Sequence, residues 1–521
     1  MSATFPPYDQ PRFSWIPFIA FAPLSGALLL IPPPSSWRKR LGLTFALGFC
    51  SSALFFLLTL EWIRVVAWEG WLTLPLYLAL YAGLWSLFVG VLLRDFLEST
   101  TNFFLKNFSL ASLAAAAWSA LEWLRGTLFT GFGWNSFGVA FHHTLPFIQI
   151  ADITGVSGVS FLGVLFGCML ALSWRDVLQK KKIQQLECIR LKSDWIVTLF
   201  LLLALMVYGM HELSAPDPSE RTLRIAAIEG NIPQDHKWDR LFEQSIMEIY
   251  TRHSEVALAL HPDLVVWPEA ATPKPLLYHQ ETFSRVQTLL KKGNADFLIG
   301  SLQYENNPQK DYNAAILLRP RAIPGMSNID YYAKIHLVPF GEYIPFRKSF
   351  PFFAWMVGNR ILGDFDAGPG PKLFLLSHQN IKVAPLLCFE DTIGDLVRRF
   401  AQLRAQALIN LTNDGWFNHS AASKQHQINA LFRSVETKLP LLRVANTGVT
   451  CLIDRFGRLI SQLDDGHGNT FIEGVMMEDW RIPVDPTLTF YTQHGDVFAQ
   501  SCLALTLLSL LFFVLRRIKK N

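Results

Sequence analysis

Apolar and polar positions divide the chain into two regimes. Up to residue 215 they come in blocks. Six apolar stretches, each long enough to span hydrocarbon, run from Phe13 to Pro32, Leu41 to Ile63, Trp71 to Leu93, Ser109 to Trp123, Val156 to Trp174 and Trp195 to Met210. From about Arg221 to Met477 the blocks give way to short β-rich runs alternating with polar, helix-like stretches: LRIAAIEGNI, DLVVWPEAA, ADFLIGSLQY, YNAAILLRP, YYAKIHLVPFG, KVAPLLCFED, QALINLTNDGWF and LLRVANTGVTCLID. A seventh apolar block, Phe498 to Leu515, closes the chain. The pattern predicts a mixed protein, an α-helical transmembrane bundle joined to an α/β domain. The expected division is residues 1–215 for the bundle, 216–490 for the α/β domain, and 491–521 for a last helix with a basic tail.

The fourth block is the weakest of the seven, being short and ending in Glu122 and Arg125. After it comes EWLRGTLFTGFGWNSFG, rich in glycine and aromatics and ending in HHTLPFIQIAD. It is too irregular for a lipid-facing helix, because unpaired backbone groups are costly in hydrocarbon, and it is expected as an interfacial or re-entrant loop. His142 and His143 in that loop have no further ligands nearby in sequence and are read as loop histidines. Gly163 and Gly167 form a GxxxG that predicts close helix packing.

Composition supports the membrane assignment: 51% of residues are hydrophobic, only 17% are charged, and the mean hydropathy is +0.25. The net charge of +4 is small for 521 residues and implies no nucleic-acid partner. Six cysteines lack the spacing of a disulfide framework or a zinc site, so no metal is expected. The N-terminus, MSATFPPYDQPRF, lacks the pattern of a cleavable signal peptide. Basic residues cluster at Arg38–Arg40, at Arg94 and Lys106, from Arg175 to Lys192, and from Arg516 to Lys520. All four clusters fall on one side if the spans alternate, so that side is expected to be cytoplasmic and the α/β domain to face outward.

Candidate chemistry sits where buried strands end. In KVAPLLCFEDTIGD an apolar run ends at Cys388 and a helix is expected beyond it, a setting that favours a thiolate. A buried structural cysteine is the competing reading. In DLVVWPEAATP, Pro268 ends a strand and Glu269 follows directly; the residue fits either a proton shuttle or a helix N-terminal acid. Lys334 in YYAKIHLVPFGEYIPF lies in a mostly apolar run and either reaches out at an edge or stabilises a developing oxyanion.

Glu, Lys and Cys at three strand ends, in that order, form a nitrilase-type constellation. WPEAATP, KIHLVPFGEYIPF, LLCFEDTIGD and LTNDGWF resemble the nitrilase-fold segments of the apolipoprotein N-acyltransferase family. ALEWLRGTLFTGFGWNSFG, GNIPQDHKWD and FYTQHGDVF resemble other parts of that family, so the likeness covers nearly the whole chain. It implies an extracytoplasmic α-β-β-α sandwich and an enzyme with no cofactor. Such an enzyme moves an acyl chain from the sn-1 position of a phospholipid, usually phosphatidylethanolamine, onto a cysteine, and then to the α-amino group of diacylglyceryl-cysteine on an apolipoprotein. By motif match it implies Cys388 as nucleophile, Glu269 as general base and acid, and Lys334 as oxyanion stabiliser. It also implies supporting roles for Glu342 and Glu390, and substrate contact by Trp238, Phe389, Asn413 and Trp416. The expected setting is the bacterial inner membrane, multi-pass, with the catalytic domain periplasmic and the protein monomeric.

Two features complicate the likeness. The family usually has seven spans before its catalytic domain, and PPYDQPRFSWIPFIAFAPL aligns with the start of the second. The segment from 346 to 374, rich in Phe, Trp, Pro and Gly, is either a packed flap or a membrane-dipping lid. A membrane-tethered amidase or nitrilase and a catalytically dead lipid-binding scaffold are the alternative functions.

Overall fold

The computed structural model describes residues 2–8, 10–31, 34, 36–99, 105–179, 186–215, 219–306, 308–321, 325–345, 347 and 364–518. The chain folds into two compact units, Met1–Ala215 with His494–Asn521, and Pro216–Gln493.

In the first unit, six helices among the described residues are long and apolar enough to cross a membrane: Pro11–Leu30, Trp37–Thr59, Trp68–Leu97, Val156–Leu178, Ser193–Leu213 and Val497–Arg516. The fourth expected span is also helical, Lys106–Thr127, but falls outside that set. Its sequence is built for packing rather than for lipid. Ala111, Ala114, Ala115, Ala116, Ala117 and Ala120 are buried, and the helix lies against Val156–Gln179 and Val497–Ile518. Small side chains let helix backbones approach closely where no water is present.

The two charges that weaken this span are both buried and hold the loop after it. Glu122 accepts from the Phe137 backbone N–H at 2.7 Å and from the Ser160 hydroxyl, and Arg125 donates to the Trp134 carbonyl at 3.2 Å. The irregular backbone is thereby satisfied from within the bundle. Gly163 and Gly167 serve close packing, as their spacing predicts: a Cβ on Gly163 would meet the Phe137 and Phe141 rings at 2.6 and 2.7 Å. His142 is buried and packs against His143, with ring centroids 3.9 Å apart and the rings tilted by 42°. No group of three or more potential ligands capable of holding a metal ion occurs among the described residues.

Among its described residues the second unit carries twelve strands in two sheets. They are β1 (Glu220–Glu229), β2 (Leu264–Trp267), β3 (Asp296–Asn306), β4 (Gln309–Leu318), β5 (Ile329–Ala333), β6 (Phe374–Leu375), β7 (Lys382–Leu387), β8 (Ala407–Thr412), β9 (Leu441–Ala445), β10 (Cys451–Ile453), β11 (Leu459–Gln462) and β12 (Gly474–Pro483). One sheet has the order β12-β1-β2-β3-β4-β5 and the other β11-β10-β9-β8-β7-β6. In each, three central strands run parallel and the outer ones antiparallel.

The sheets face one another, with β4 against β7 and β1 against β9. Helices Glu243–Leu258 and Gln280–Lys292 cover the outer face of the first sheet. There Ile246, Met247, Tyr250, Val286 and Leu289 pack on Val265, Trp267 and Phe297. Helices Gly394–Gln402 and Ala422–Thr437 pack on each other beside β9. This is an α-β-β-α sandwich. It explains why β2, β8 and β9 are buried at every position and read as continuous apolar runs instead of alternating ones.

Candidate active site

The three chemistry-bearing residues each follow the carboxyl end of a strand: Glu269 after β2 and Pro268, Lys334 after β5, and Cys388 after β7. Lys334 therefore lies one residue beyond its strand, and its backbone N–H still pairs with the Asn313 carbonyl at 2.8 Å. Ligand sites of parallel sheets gather at this end because the strands stop there and the connecting loops diverge.

Cys388 sits in a tight reversal with φ +50, a left-handed conformation that costs a non-glycine residue energy. A short 3-10 turn, Cys388–Thr392, follows, and the regular helix starts only at Gly394. The expected helix-dipole stabilisation of a thiolate is not what the surroundings produce. Burial raises the thiol, Glu269 raises it further, and Lys334 opposes both; the net displacement is upward. The group rests as a thiol and needs a base to become a nucleophile. Glu269 and Lys334 both lie within electrostatic range of the sulfur.

Lys334 is 1% exposed, so it does not reach out to solvent. Its Nζ donates to Glu342 Oε1 at 2.9 Å and approaches Glu269 Oε1 at 3.5 Å. Asn313 ties the two acids together, its Nδ2 donating to Glu269 Oε1 at 2.7 Å and to Glu342 Oε1 at 2.9 Å. The other oxygen of Glu342 accepts from the Val338 N–H at 2.8 Å. Burial would lower the lysine, but Glu342, Glu269 and Cys388 overcome it, so Lys334 is held charged. The result is a fixed cation with one carboxylate dedicated to it and a second, Glu269, at longer range.

Glu269 owes its position to a turn with Ala270 at φ +44. Gly300 on the neighbouring strand makes room for it: a Cβ there would lie 2.2 Å from the Pro268 carbonyl oxygen and 2.6 Å from Glu269 Cα.

Glu390 is fully buried and acts as a clamp. It accepts from the Tyr332 hydroxyl at 2.9 Å, from the Ile335 and His336 N–H groups at 2.7 and 3.1 Å, and from the Leu387 N–H at 2.9 Å. It thereby joins the chain after Lys334 to the chain before Cys388. Burial pushes its carboxyl up to about 7, against these hydrogen bonds and Lys334.

Within electrostatic range of Cys388 lies a cluster that sequence reasoning missed. His426 bridges Asp391 and Asp414 at 2.8 Å each, and Arg443 donates to the same two carboxylates at 2.6 and 2.8 Å. All four side chains are at most 1% exposed. The two aspartates outweigh burial and Arg443 in raising His426. Asn410, on β8, adds a hydrogen bond to the Cys388 carbonyl at 2.9 Å. In the sequence these residues lie on four separate elements with no shared motif, so only NDGWF and CFED carried a trace of them.

Asn413 joins this neighbourhood, donating to Gln234 Oε1 at 2.8 Å and accepting from Asn446 at 3.0 Å; it is 3% exposed and serves the interior. Trp238 and Trp416 are 39% and 46% exposed. Phe389 faces His336, with ring centroids 6.0 Å apart. Lys237, also missed, is buried next to exposed Trp238 and donates to the Glu269 carbonyl at 2.9 Å. Of the aromatic 346–374 segment expected as a flap or lid, residues 346 and 348–363 lie outside the described residues.

A buried thiol in a strained turn, a carboxylate and a charged lysine at three strand ends of a double-sheet sandwich define the carbon-nitrogen hydrolase class. Residues 224–481 match the family described as carbon-nitrogen hydrolase, and residues 1–169 match the N-terminal domain of apolipoprotein N-acyltransferase. The apolipoprotein N-acyltransferase of Geobacter metallireducens is 35% identical over 95% of this chain and 90% of its own length. Apolipoprotein N-acyltransferase 1 of Treponema denticola is 28% identical over 97% of this chain and 93% of its own. That of Nitrosomonas europaea is 32% identical over 69% of this chain and 68% of its own. The chain belongs to the apolipoprotein N-acyltransferase family.

Proposed function

We propose that this membrane enzyme takes an acyl chain from the sn-1 position of a phospholipid, carries it on Cys388, and delivers it to the α-amino group of diacylglyceryl-cysteine on an apolipoprotein. The family performs N-acylation as the last step of lipoprotein maturation. Phosphatidylethanolamine is the proposed donor, and the protein works as a monomer in the bacterial inner membrane. The four basic clusters support a periplasmic position for its catalytic domain, residues 216–490.

The observation that carries the residue assignment is the mutual electrostatic reach of Glu269, Lys334 and Cys388 at three strand ends. Glu269 takes the thiol proton as sulfur attacks the ester carbonyl, and returns it to the lysophospholipid oxygen as that bond breaks. Lys334, held charged, stabilises the tetrahedral oxyanion. Glu342 and Asn313 fix Lys334 and Glu269 relative to each other, and Glu390 holds the two segments that carry lysine and thiol. Trp238, Phe389 and Trp416 contact lipid, while Asn413 acts through its interior hydrogen bonds.

Incubation with a phospholipid labelled in its sn-1 chain tests the reading. The transferase forms a labelled thioester that persists until an amine acceptor is added. Release of labelled fatty acid would point to a hydrolase instead, and absence of both products to a scaffold. Impermeant thiol labelling of a cysteine introduced at exposed Leu241 tests the orientation: reaction in intact spheroplasts is expected, and reaction only after lysis contradicts it.

A further inference from the structure

Among the described residues, Lys237 is a buried lysine without a counter-ion. It is 2% exposed, and its Nζ has one hydrogen bond, 2.9 Å to the backbone carbonyl oxygen of Glu269. Among the described residues no carboxylate pairs with it within 4.0 Å, in contrast to Lys334, which has two. The titratable groups that act on it are the Glu269 carboxylate and the Cys388 thiol, the two groups between which the acyl-transfer proton moves. A lysine that is buried for structural reasons is normally paired, because an isolated ammonium is expensive to desolvate. An unpaired one is cheap only as the neutral amine. Burial pushes Lys237 down to about 7, with Glu269 and Cys388 opposing the shift.

The chemistry of the second half-reaction leaves one proton without a base. An acceptor α-amine has an ordinary pKa of about 8 and is mostly an ammonium at neutral pH, with no lone pair to attack a thioester. To become an amide it must lose two protons. One leaves the tetrahedral intermediate, passes to Glu269 and ends on the departing Cys388 sulfur. The other must go before attack, and Glu269 cannot take both.

We propose that the neutral amine of Lys237 removes the first proton from the acceptor ammonium, making Lys237 a second base used only in the amine half-reaction. The step balances. Lys237 gains a proton and the acceptor becomes a free amine. Its lone pair forms the C–N bond, the intermediate's N–H proton moves to Glu269, the C–S bond breaks with its electrons going to sulfur, and Glu269 protonates the thiolate. Lys237 then returns its proton to water. This inference rests on the acyl-transfer reading above.

The test follows the two half-reactions separately in Lys237→Met and Lys237→Arg, using labelled phospholipid and a diacylglyceryl-cysteinyl peptide across pH 6.5 to 9. The unsubstituted protein is the control: if it forms no thioester or transfers none, the functional reading itself fails. With that control sound, Lys237→Met is expected to load the thioester at close to the normal rate. About a tenth of the acceptor is neutral at pH 7, so transfer should be about 10-fold slower there and converge on the normal rate by pH 9. A weakly basic acceptor such as hydroxylamine, already neutral at pH 7, should be served normally by the variant. Lys237→Arg, which cannot be deprotonated, should share the pH 7 defect. Any of three results overturns the proposal: thioester loading that falls together with transfer or is lost, a transfer defect equal at pH 7 and pH 9, or restoration by arginine.

Discussion

Replacing Arg443 with methionine, Arg443→Met, probes the buried charge cluster near Cys388. The substitution keeps most of the side-chain volume but removes the cation that donates to Asp391 and Asp414 at 2.6 and 2.8 Å. His426 then faces the two carboxylates without the guanidinium that offsets them, in a region without solvent. Removing one partner of a buried ion pair typically costs about 3–5 kcal/mol. For a domain of this size that is a drop of about 6 to 20 °C in the thermal midpoint.

The pH dependence gives the argument its sign. Burial would raise Asp414, but Arg443 and His426 hold it down to about 2. Its carboxylate therefore stabilises the fold at neutral pH, where it is fully ionised in both states. That contribution is lost only as pH falls from the unfolded value, about 4, through about 2. In the variant burial pushes the Asp414 carboxyl up without Arg443 to oppose it, so acid relieves the penalty. The gap between the two proteins should be widest near pH 7 and narrow toward pH 4. Thermal unfolding of the detergent-purified proteins, followed by intrinsic fluorescence at both pH values, measures it. A midpoint unchanged at pH 7, or a gap that widens on acidification, would refute the reasoning.

The remaining predictions concern turnover. Cys388→Ser should abolish acyl transfer with the thermal midpoint retained, because a hydroxyl is a poorer nucleophile than a thiol activated by the same base; normal transfer by the variant would exclude the covalent route. Lys334→Met should slow thioester formation by about 100- to 1000-fold in pre-steady-state labelling, the typical cost of one oxyanion donor. A normal rate would reduce that lysine to a structural cation. Gly300→Ala places a Cβ 2.2 Å from the Pro268 carbonyl and shifts the turn bearing Glu269, so turnover should fall by about 100-fold. Wild-type turnover would show that the turn's position is immaterial. Glu269→Gln keeps the shape without the base and should slow both thioester formation and aminolysis; a normal first step would mean that another group activates Cys388.

How much of this was legible in the chain depended on sequence distance. The spans and the buried strands announce themselves by local pattern, and Glu269, Lys334 and Cys388 each stand at a pattern's end. The Lys106–Thr127 helix reads weakly because its inward alanines and its Glu122 and Arg125 answer to neighbouring helices and a loop, not to lipid. The protonation state of Cys388 was misread for a related reason. The helix-dipole argument put the thiol close to a helix N-terminus, whereas a 3-10 turn separates Cys388 from the helix at Gly394 and burial dominates. Asp391, Asp414, His426 and Arg443 meet only after four elements have packed, so no spacing rule could assemble them. Lys237 was hidden by its neighbour: in HKWD the tryptophan drew the reading toward lipid, and nothing local shows that the lysine turns inward.

The account stands most directly on the identity of the acyl-carrying atom. The purified protein, loaded with a phospholipid carrying an isotopically labelled sn-1 chain and no amine acceptor, would be digested and its cysteine peptides weighed by mass spectrometry. The account predicts one labelled acyl group on the peptide containing Cys388, sensitive to hydroxylamine and discharged by a diacylglyceryl-cysteinyl peptide. Acyl transfer proceeding with Cys388 unmodified, or with the label on Cys451 or Cys502, would contradict it.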